Sequence, residues 1–222
     1  MCSDSLNLSH SGPGCQARLP EGHGKLSGEN SNELDIFVED GRAKQIVQSF
    51  LEQEIRIRVN ILSIGSSAAV ARQLAARYKN IKKGECLGIL DGDTSDKLSE
   101  HYKHFRQAVE NTRDEPATSE WISRRLITLP GGTWPESWIL DQCKDAMDEQ
   151  LAELFSTTQE KLMECIEKAK LAEKHGEFYT LSRELGHDAD GDFVCQTLCR
   201  HVAMKRSDLF YDIRARVLDL LG

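Results

Sequence analysis

Short apolar runs ending in glycine, aspartate or proline alternate with stretches of helical spacing over residues 34–132. The apolar runs are rich in β-branched residues and predict buried strands: Leu34–Val38 and residues 57–64, 86–90 and 126–129. Apolar positions three and four residues apart predict the intervening helices: 42–54, 67–79 and 97–111. This alternation predicts an α/β fold with a mainly parallel four-stranded sheet flanked by helices.

The remainder of the chain divides into two different patterns. Residues 133–222 keep helical spacing and predict an all-helical C-terminal extension, with shorter helices at 177–185, 190–203 and 207–221. Residues 1–33 are rich in serine, glycine and asparagine without apolar periodicity, which predicts a disordered leader. The predicted organisation is therefore a leader (1–33), an α/β domain (34–132) and the helical extension.

Composition narrows the classes of protein that the chain can belong to. No apolar stretch approaches the ~20 residues of a spanning helix, and the N-terminus lacks the apolar core of a secretion signal. We therefore expect a cytoplasmic protein with no membrane partner. The seven cysteines are irregularly spaced and are expected to be reduced thiols. With 36 acidic and 28 basic residues, nucleic-acid binding would need local basic groups, a bound metal or a partner.

Acidic residues follow two of the predicted strands directly. Glu39 comes after the first strand, and Asp91 and Asp93 come after the third. Because the carboxyl ends of parallel strands meet at one edge of a sheet, we expect these three carboxylates to converge. Carboxylate oxygens are ligands that Mg²⁺ prefers, so the pattern predicts a magnesium site. The alternative is a polar turn in which Asp93 or Thr94 caps a helix.

The order and spacing of these motifs resemble a known family. A strand ending Val38-Glu39, a second ending at Gly65 and a third ending Asp91-Gly92-Asp93 are similar to the Toprim domain of topoisomerases, bacterial primases and overcoming-lysogenisation-defect (OLD) nucleases. The resemblance covers residues 34–132. It implies a Toprim-like fold, with Glu39 as general acid or base and with Asp91 and Asp93 binding Mg²⁺ or Mn²⁺.

Within that family, the segment 129–136 and the helical tail most resemble the nuclease half of OLD-like ATPases, several of which act in antiphage defence. The resemblance implies a metal-dependent endonuclease that hydrolyses phosphodiester bonds of DNA, or of RNA. OLD-like proteins usually carry an ABC-type ATPase before the Toprim domain, and this sequence has no ATPase motif. We therefore expect an ABC-type ATPase domain or subunit as a partner, and homo-oligomerisation through the helical tail is a further expectation.

Two features depart from the OLD-like pattern, and the first is the turn after strand one, which reads Glu39-Asp40-Gly41 instead of Glu-Gly. Those nucleases commonly place an acid four residues after the first glutamate, where this chain has Ala43. The missing ligands of a second metal would have to come from other acids: Asp40, Asp96 or Glu136. Two of these acids have a competing structural interpretation, because Asp96 suits a helix start and Glu136 can complete a capping box with Thr133.

Three other features carry alternative interpretations. Gly65 and Ser66 precede a helix whose free amides could hold a phosphate, or they form an ordinary turn. A set of basic residues could touch a nucleic-acid backbone or be simply solvated: Lys79, Lys82, Lys83, Arg124 and Arg125. Cys195 and Cys199, one helical turn apart, suit core packing better than zinc binding.

Two further functions remain open at this point. Asp91-Gly92-Asp93-Thr94 faintly resembles the nucleophile loop of haloacid-dehalogenase-type phosphatases. A degenerate Toprim scaffold that binds an ATPase partner is favoured by Ala43 and the acidic composition, whereas the intact set of three acids argues against it.

Overall fold

Four parallel strands lie at the centre of the computed structural model, which describes residues 32–80, 84–110, 115–186 and 190–222. Their bounds are Leu34–Val38 (β1), Val59–Ser63 (β2), Glu85–Leu90 (β3) and Leu126–Thr128 (β4). The order in the sheet is β2-β1-β3-β4, and every neighbouring pair is parallel. The predicted α/β class and parallel sheet are confirmed. The predicted leader lies outside the described residues, except for its last two positions.

Helices flank the sheet and are the regular secondary structure of the described residues after β4. Those between the strands are Gly41–Phe50 (α1), Gln53–Arg56 (α2), Ser67–Lys79 (α3), Leu98–Val109 (α4) and Pro116–Arg125 (α5). Those after β4 are Pro135–Asp145 (α6), Glu149–Leu154 (α7), Gln159–Ala169 (α8), Glu177–Leu185 (α9), Gly191–Lys205 (α10) and Tyr211–Leu221 (α11). Two 3₁₀ turns, Gly92–Lys97 and Ser207–Phe210, precede α4 and α11.

Several predicted boundaries shift in the structure. The helix predicted over 42–54 ends at Phe50, and a separate turn, α2, follows it. The second strand begins at Val59 rather than 57, because Ile57 lies in the preceding turn and is 73% exposed. The helix α5 was not predicted, since its sequence is mostly polar and few of its residues, such as Ile122, are buried.

Side chains alternate between the two faces of the sheet, as the period of a strand requires. The sheet has a hydrophobic core on each face. On β1, Leu34, Ile36 and Val38 point into one of them, the first core, and pack there against α1, α6 and α10. Phe37 points to the second core, formed with α3, α4 and α5. Both faces are therefore covered by helices, and the carboxyl edge of the sheet is where polar residues can gather.

The first core also contains residues of the C-terminal helices. Leu162 and Val202 are fully buried in it together with the residues of β1. Residues Asn32–Gly222 form one compact unit. The division of these residues into an α/β domain and a helical extension at residue 132 stays a prediction. In the described part of the chain, no helix has both the length and the apolar character needed to cross a bilayer.

Candidate functional site

The register of the sheet brings Glu39 and Asp91 together. Val38 pairs with Ser63 of β2 and with Ile89 of β3, so β1 and β3 end at the same edge. The backbone amide of Asp91 donates a hydrogen bond to Glu39 Oε1 at 3.0 Å. The convergence predicted for these two acids, which lie 52 residues apart, is confirmed.

Glu39 is held by two backbone amides from different elements. In addition to Asp91, the amide of Ser67, the first residue of α3, hydrogen-bonds to its carboxylate. Burial raises the pKa of Glu39 despite these two hydrogen bonds, and the negative charges of Asp93 and Asp40 raise it further. A fixed carboxyl with a raised pKa is suited to general acid or base chemistry.

Asp91 is the most strongly perturbed carboxyl of the site. It is 8% exposed, and its pKa is raised to about 7, with burial as the largest cause. The charges of Glu39, Asp40, Asp93 and Glu136 add to this increase, in that order. Asp91 Oδ1 is buried and has no hydrogen-bond partner among the described residues. A carboxyl group in this position either stays protonated or, when it is ionised, requires a cation nearby.

Two basic side chains from the segment between α8 and α9 lie over these acids. Lys174 Nζ forms an ion pair with Asp93 Oδ2 at 2.7 Å, and His175 Nδ1 lies 3.1 Å from Glu136 Oε1. Neither was predicted, because Lys174 is 81 residues from Asp93 in a polar loop without any distinguishing pattern. The ammonium of Lys174, from the helical tail, thus balances part of the negative charge.

Glu136 faces the site rather than the helix start. Its side chain is 2% exposed, and Oε2 has no hydrogen-bond partner among the described residues. The predicted capping box with Thr133 is wrong, since α6 has Trp134 at its N-cap and no side-chain cap. The indole of Trp134 donates instead to Glu177 of α9. This contact anchors the start of α6 against the tail.

The other two candidate acids are placed differently. Asp40 Oδ1 accepts a hydrogen bond from the amide of Ala43 at 2.9 Å and so caps α1, while its charge still acts on Glu39 and Asp91. Ala43, the position at which the resemblance leads one to expect an acid, is fully buried in the core between α1 and the sheet. Asp96 is exposed, and no contact in the described part of the chain connects it to the other acids.

The predicted phosphate site at Gly65 and Ser66 is largely occupied by the protein itself. Gly65 has a φ of 105°, and Ser66 Oγ caps α3 by accepting from the Ala69 amide at 3.2 Å. The neighbouring amide of Ser67 already binds Glu39. A phosphate at this helix start would meet the negative charge of Glu39, so the geometry favours the ordinary turn.

Gly92 is required by the close approach of another loop. A Cβ at this position would lie 2.8 Å from the carbonyl oxygen of Thr133 and 2.9 Å from that of Pro130. We expect Gly92→Ala to lower the free energy of unfolding by about 1–3 kcal/mol, because backbone atoms must move to admit the methyl group.

Chemical denaturation measures that loss, with Gly41→Ala as the matched control. Gly41 also lies next to the site, but a Cβ there meets nothing within 4 Å. We expect the control to differ from the original chain by less than about 1 kcal/mol. Equal stability of the two variants would contradict the close packing of Gly92.

The donor set fits a hard divalent cation. Asp91 Oδ1 and Glu136 Oε2 are buried oxygens without hydrogen-bond partners, and the ammonium of Lys174 already lies beside Asp93. No three His, Cys, Asp or Glu side chains of the described residues are yet arranged to hold an ion. Mg²⁺ commonly uses one or two carboxylates and completes its shell with water and substrate phosphate, so a preformed cage is not required.

The cysteine pair of α10 is part of the core. Cys195 and Cys199 are fully buried with their sulfur atoms 3.8 Å apart. His201 Nε2 donates to the carbonyl of Ala146 at 2.9 Å, and His187 lies outside the described residues. The five described cysteines are free and buried, which agrees with the prediction of reduced thiols.

No family model, curated protein or solved structure matches this chain. The resemblance to the Toprim domain therefore remains a prediction that depends on the motifs quoted above. The geometry independently defines a parallel α/β domain with a cluster of carboxylates at the carboxyl edge of its sheet.

Proposed function

We propose that this protein is a nuclease of OLD-like Toprim type that uses Mg²⁺ or Mn²⁺ to hydrolyse phosphodiester bonds of DNA, or of RNA. The observation that carries the proposal is Asp91, a buried carboxyl among four other acids with one oxygen left unpartnered. Such a position is unfavourable for folding alone but favourable for binding a cation.

Each charged residue of the site has a separate role in the proposed reaction. Asp91 and Asp93 would hold the metal, which polarises the scissile phosphate and lowers the pKa of a bound water. Glu39, fixed by the amides of Asp91 and Ser67, would take a proton from the attacking water or give one to the leaving oxygen. Lys174, when released from Asp93, would be free to neutralise substrate phosphate.

The wider context of the proposal follows from the resemblance. The proposed partners are nucleic acid and an ABC-type ATPase domain or subunit, with homo-oligomerisation through the helical tail. Antiphage defence in the cytoplasm is the proposed setting.

A second candidate is the degenerate scaffold, which binds an ATPase without cleaving nucleic acid. The ion pair of Lys174 with Asp93 and the contact of His175 with Glu136 favour it, because side chains of the protein already occupy two of the carboxylates. Under this interpretation, the contacts from the helical tail would permanently prevent the carboxylates from binding a metal ion.

Cleavage of plasmid DNA and of RNA, with and without a candidate ATPase, separates the two functions. We expect cleavage in Mg²⁺ or Mn²⁺, none in EDTA, and a loss of about 10²–10⁴-fold in Glu39→Gln because its proton transfer is removed. Glu153→Gln, which changes an exposed carboxylate of α7, should retain full activity. If neither nucleic acid is cleaved with the ATPase and either metal, the scaffold is the correct function.

A further inference from the structure

A groove lined by basic and amide side chains lies beside the edge strand β2, between α1, α2 and α10. Its volume is about 390 Å³. Three cations and four amides line it, and together they come from all four of these elements; the cations are Lys44, Arg56 and Arg200. We infer that this groove, called the cationic groove below, binds the phosphodiester backbone of a nucleic acid.

The three cations of the groove are not neutralised by the protein. Within the described ranges, Lys44, Arg56 and Arg200 form no ion pair within 4.0 Å, and no carboxylate is among the lining residues. The three positive charges repel each other because they line the same groove. Their grouping without carboxylates contrasts with the net charge of −8 of the whole chain. Anionic oxygens from a ligand would relieve this repulsion, and the neighbouring amides can donate further hydrogen bonds to them.

The basic residues predicted from the sequence behave differently. Lys79 is paired with Glu110 at 3.3 Å, Arg124 with Glu120 at 2.9 Å, and Arg125 with Glu85 at 2.6 Å. Lys82 and Lys83 lie outside the described residues. Charge that is already paired contributes less to binding a polyanion, so the cationic groove is the better candidate.

The groove begins close to the carboxylate cluster. The amide of Lys44 donates to the backbone carbonyl of Asp40 at 3.1 Å, which places Lys44 one helical turn, about 6 Å along the axis, from that acid. Gln48 lies one further turn along α1, and Arg56 follows in α2. The ten residues of α1 span about 15 Å, roughly the rise of four nucleotides along one strand. The groove therefore runs from Lys44, one turn from the carboxyl edge of the sheet, to Val59, which begins β2 at the amino edge.

An acidic peptide added to the edge of β2 is the competing occupant. Val59 and Ile61 of that strand border the groove, and an edge strand can accept a further strand. The phosphodiester backbone is favoured because the groove begins one turn from the proposed catalytic edge, and in that respect the inference depends on the proposed function.

Binding measured without cleavage tests the groove. Fluorescence anisotropy of labelled single-stranded and duplex DNA in EDTA compares the full chain with the triple variant Lys44→Gln, Arg56→Gln, Arg200→Gln. We expect binding to weaken at least about tenfold and the slope of log affinity against log salt to fall by about two to three, because three phosphate contacts are lost. Thermal melting followed by circular dichroism shows whether the triple variant folds. If it does not, the single variant Arg200→Gln, whose side chain is exposed on α10, replaces it, and we expect that variant to weaken binding about two- to threefold.

A control with the same change in net charge shows whether the position of the charge matters. Lys79→Gln, Lys103→Gln and Arg124→Gln remove three cations from α3, α4 and α5, which cover the opposite face of the sheet. We expect binding within about twofold of the original chain. Equal losses in both triple variants, or no loss in the groove variant, would overturn the inference.

Two further outcomes separate this inference from the proposed function. DNA binding that depends on the groove in a chain that never cleaves supports the groove and counts against the nuclease. Cleavage and binding that persist in the groove variant overturn the groove alone. Binding of polyglutamate with no binding of DNA would overturn the inference in favour of an acidic peptide.

Discussion

Replacement of Asp91 by asparagine is expected to stabilise the metal-free protein while abolishing its metal-dependent cleavage. Asparagine keeps the size of the side chain but removes a charge that lies among Glu39, Asp40, Asp93 and Glu136. The backbone amide of residue 91 can still donate to Glu39. The same substitution removes the proposed metal ligand, for which we expect a loss of cleavage of about 10³-fold or more.

The pH dependence follows from the direction of the pKa change. The pKa of Asp91 is about 7 in the folded chain against a reference value of 3.8, so the folded state binds the proton more tightly than the unfolded state does. This contribution to stability is complete below pH 3.8 and is lost as the pH rises to about 7. Above pH 7 the ionised carboxylate destabilises the metal-free fold.

The stability difference between Asp91→Asn and the original chain should therefore grow with pH. At pH 8 in EDTA we expect the variant to be more stable by roughly 2 kcal/mol after solvent screening, or about 4–8 °C in Tm. Near pH 4 the two should melt within about 2 °C of each other. Thermal denaturation between pH 4 and 8 measures this difference. A variant less stable than the original chain at pH 8 would contradict the crowding of carboxylates around Asp91.

Those parts of the fold that local patterns determine could be predicted from the sequence. The run Leu34–Val38 has the β-branched and aromatic residues of a buried strand, and the acids and glycine that follow mark its end. The meeting of Glu39 and Asp91 needed one further rule, that parallel strands end at a common edge. Both steps use information within a few residues of each motif.

Other parts of the site depend on tertiary contacts that leave no local pattern. Glu136 fits a capping box in sequence, yet α6 has Trp134 at its N-cap, and the indole of Trp134 contacts Glu177, which lies 43 residues further along the chain. Lys174 sits in an ordinary polar loop, and only the packing of the tail brings it to Asp93. In the sequence, nothing distinguishes Arg200 from other exposed cations on helices. Only the packing of α10 against α1 brings it into the cationic groove.

Reversal of the charge of Lys174 is the second experiment with a large expected effect. In Lys174→Glu the carboxylate cluster loses the ammonium that lies 2.7 Å from Asp93 and gains another negative charge. We expect the metal-free chain to lose about 2 kcal/mol of stability at pH 8, since attraction is replaced by repulsion at a half-exposed position. Thermal denaturation in EDTA should then show a Tm lower by about 4–8 °C.

The same variant should respond more strongly to metal, because a divalent cation can take over the charge that Lys174 supplied. We expect Mn²⁺ to raise the Tm of Lys174→Glu by at least about 5 °C more than it raises that of the original chain. Lys170→Glu is the matched control, since Lys170 pairs with Asp141 and not with the acids at the sheet edge. The control should lose stability equally with and without Mn²⁺. If Mn²⁺ rescues neither variant, the carboxylates around Asp91 do not bind a cation.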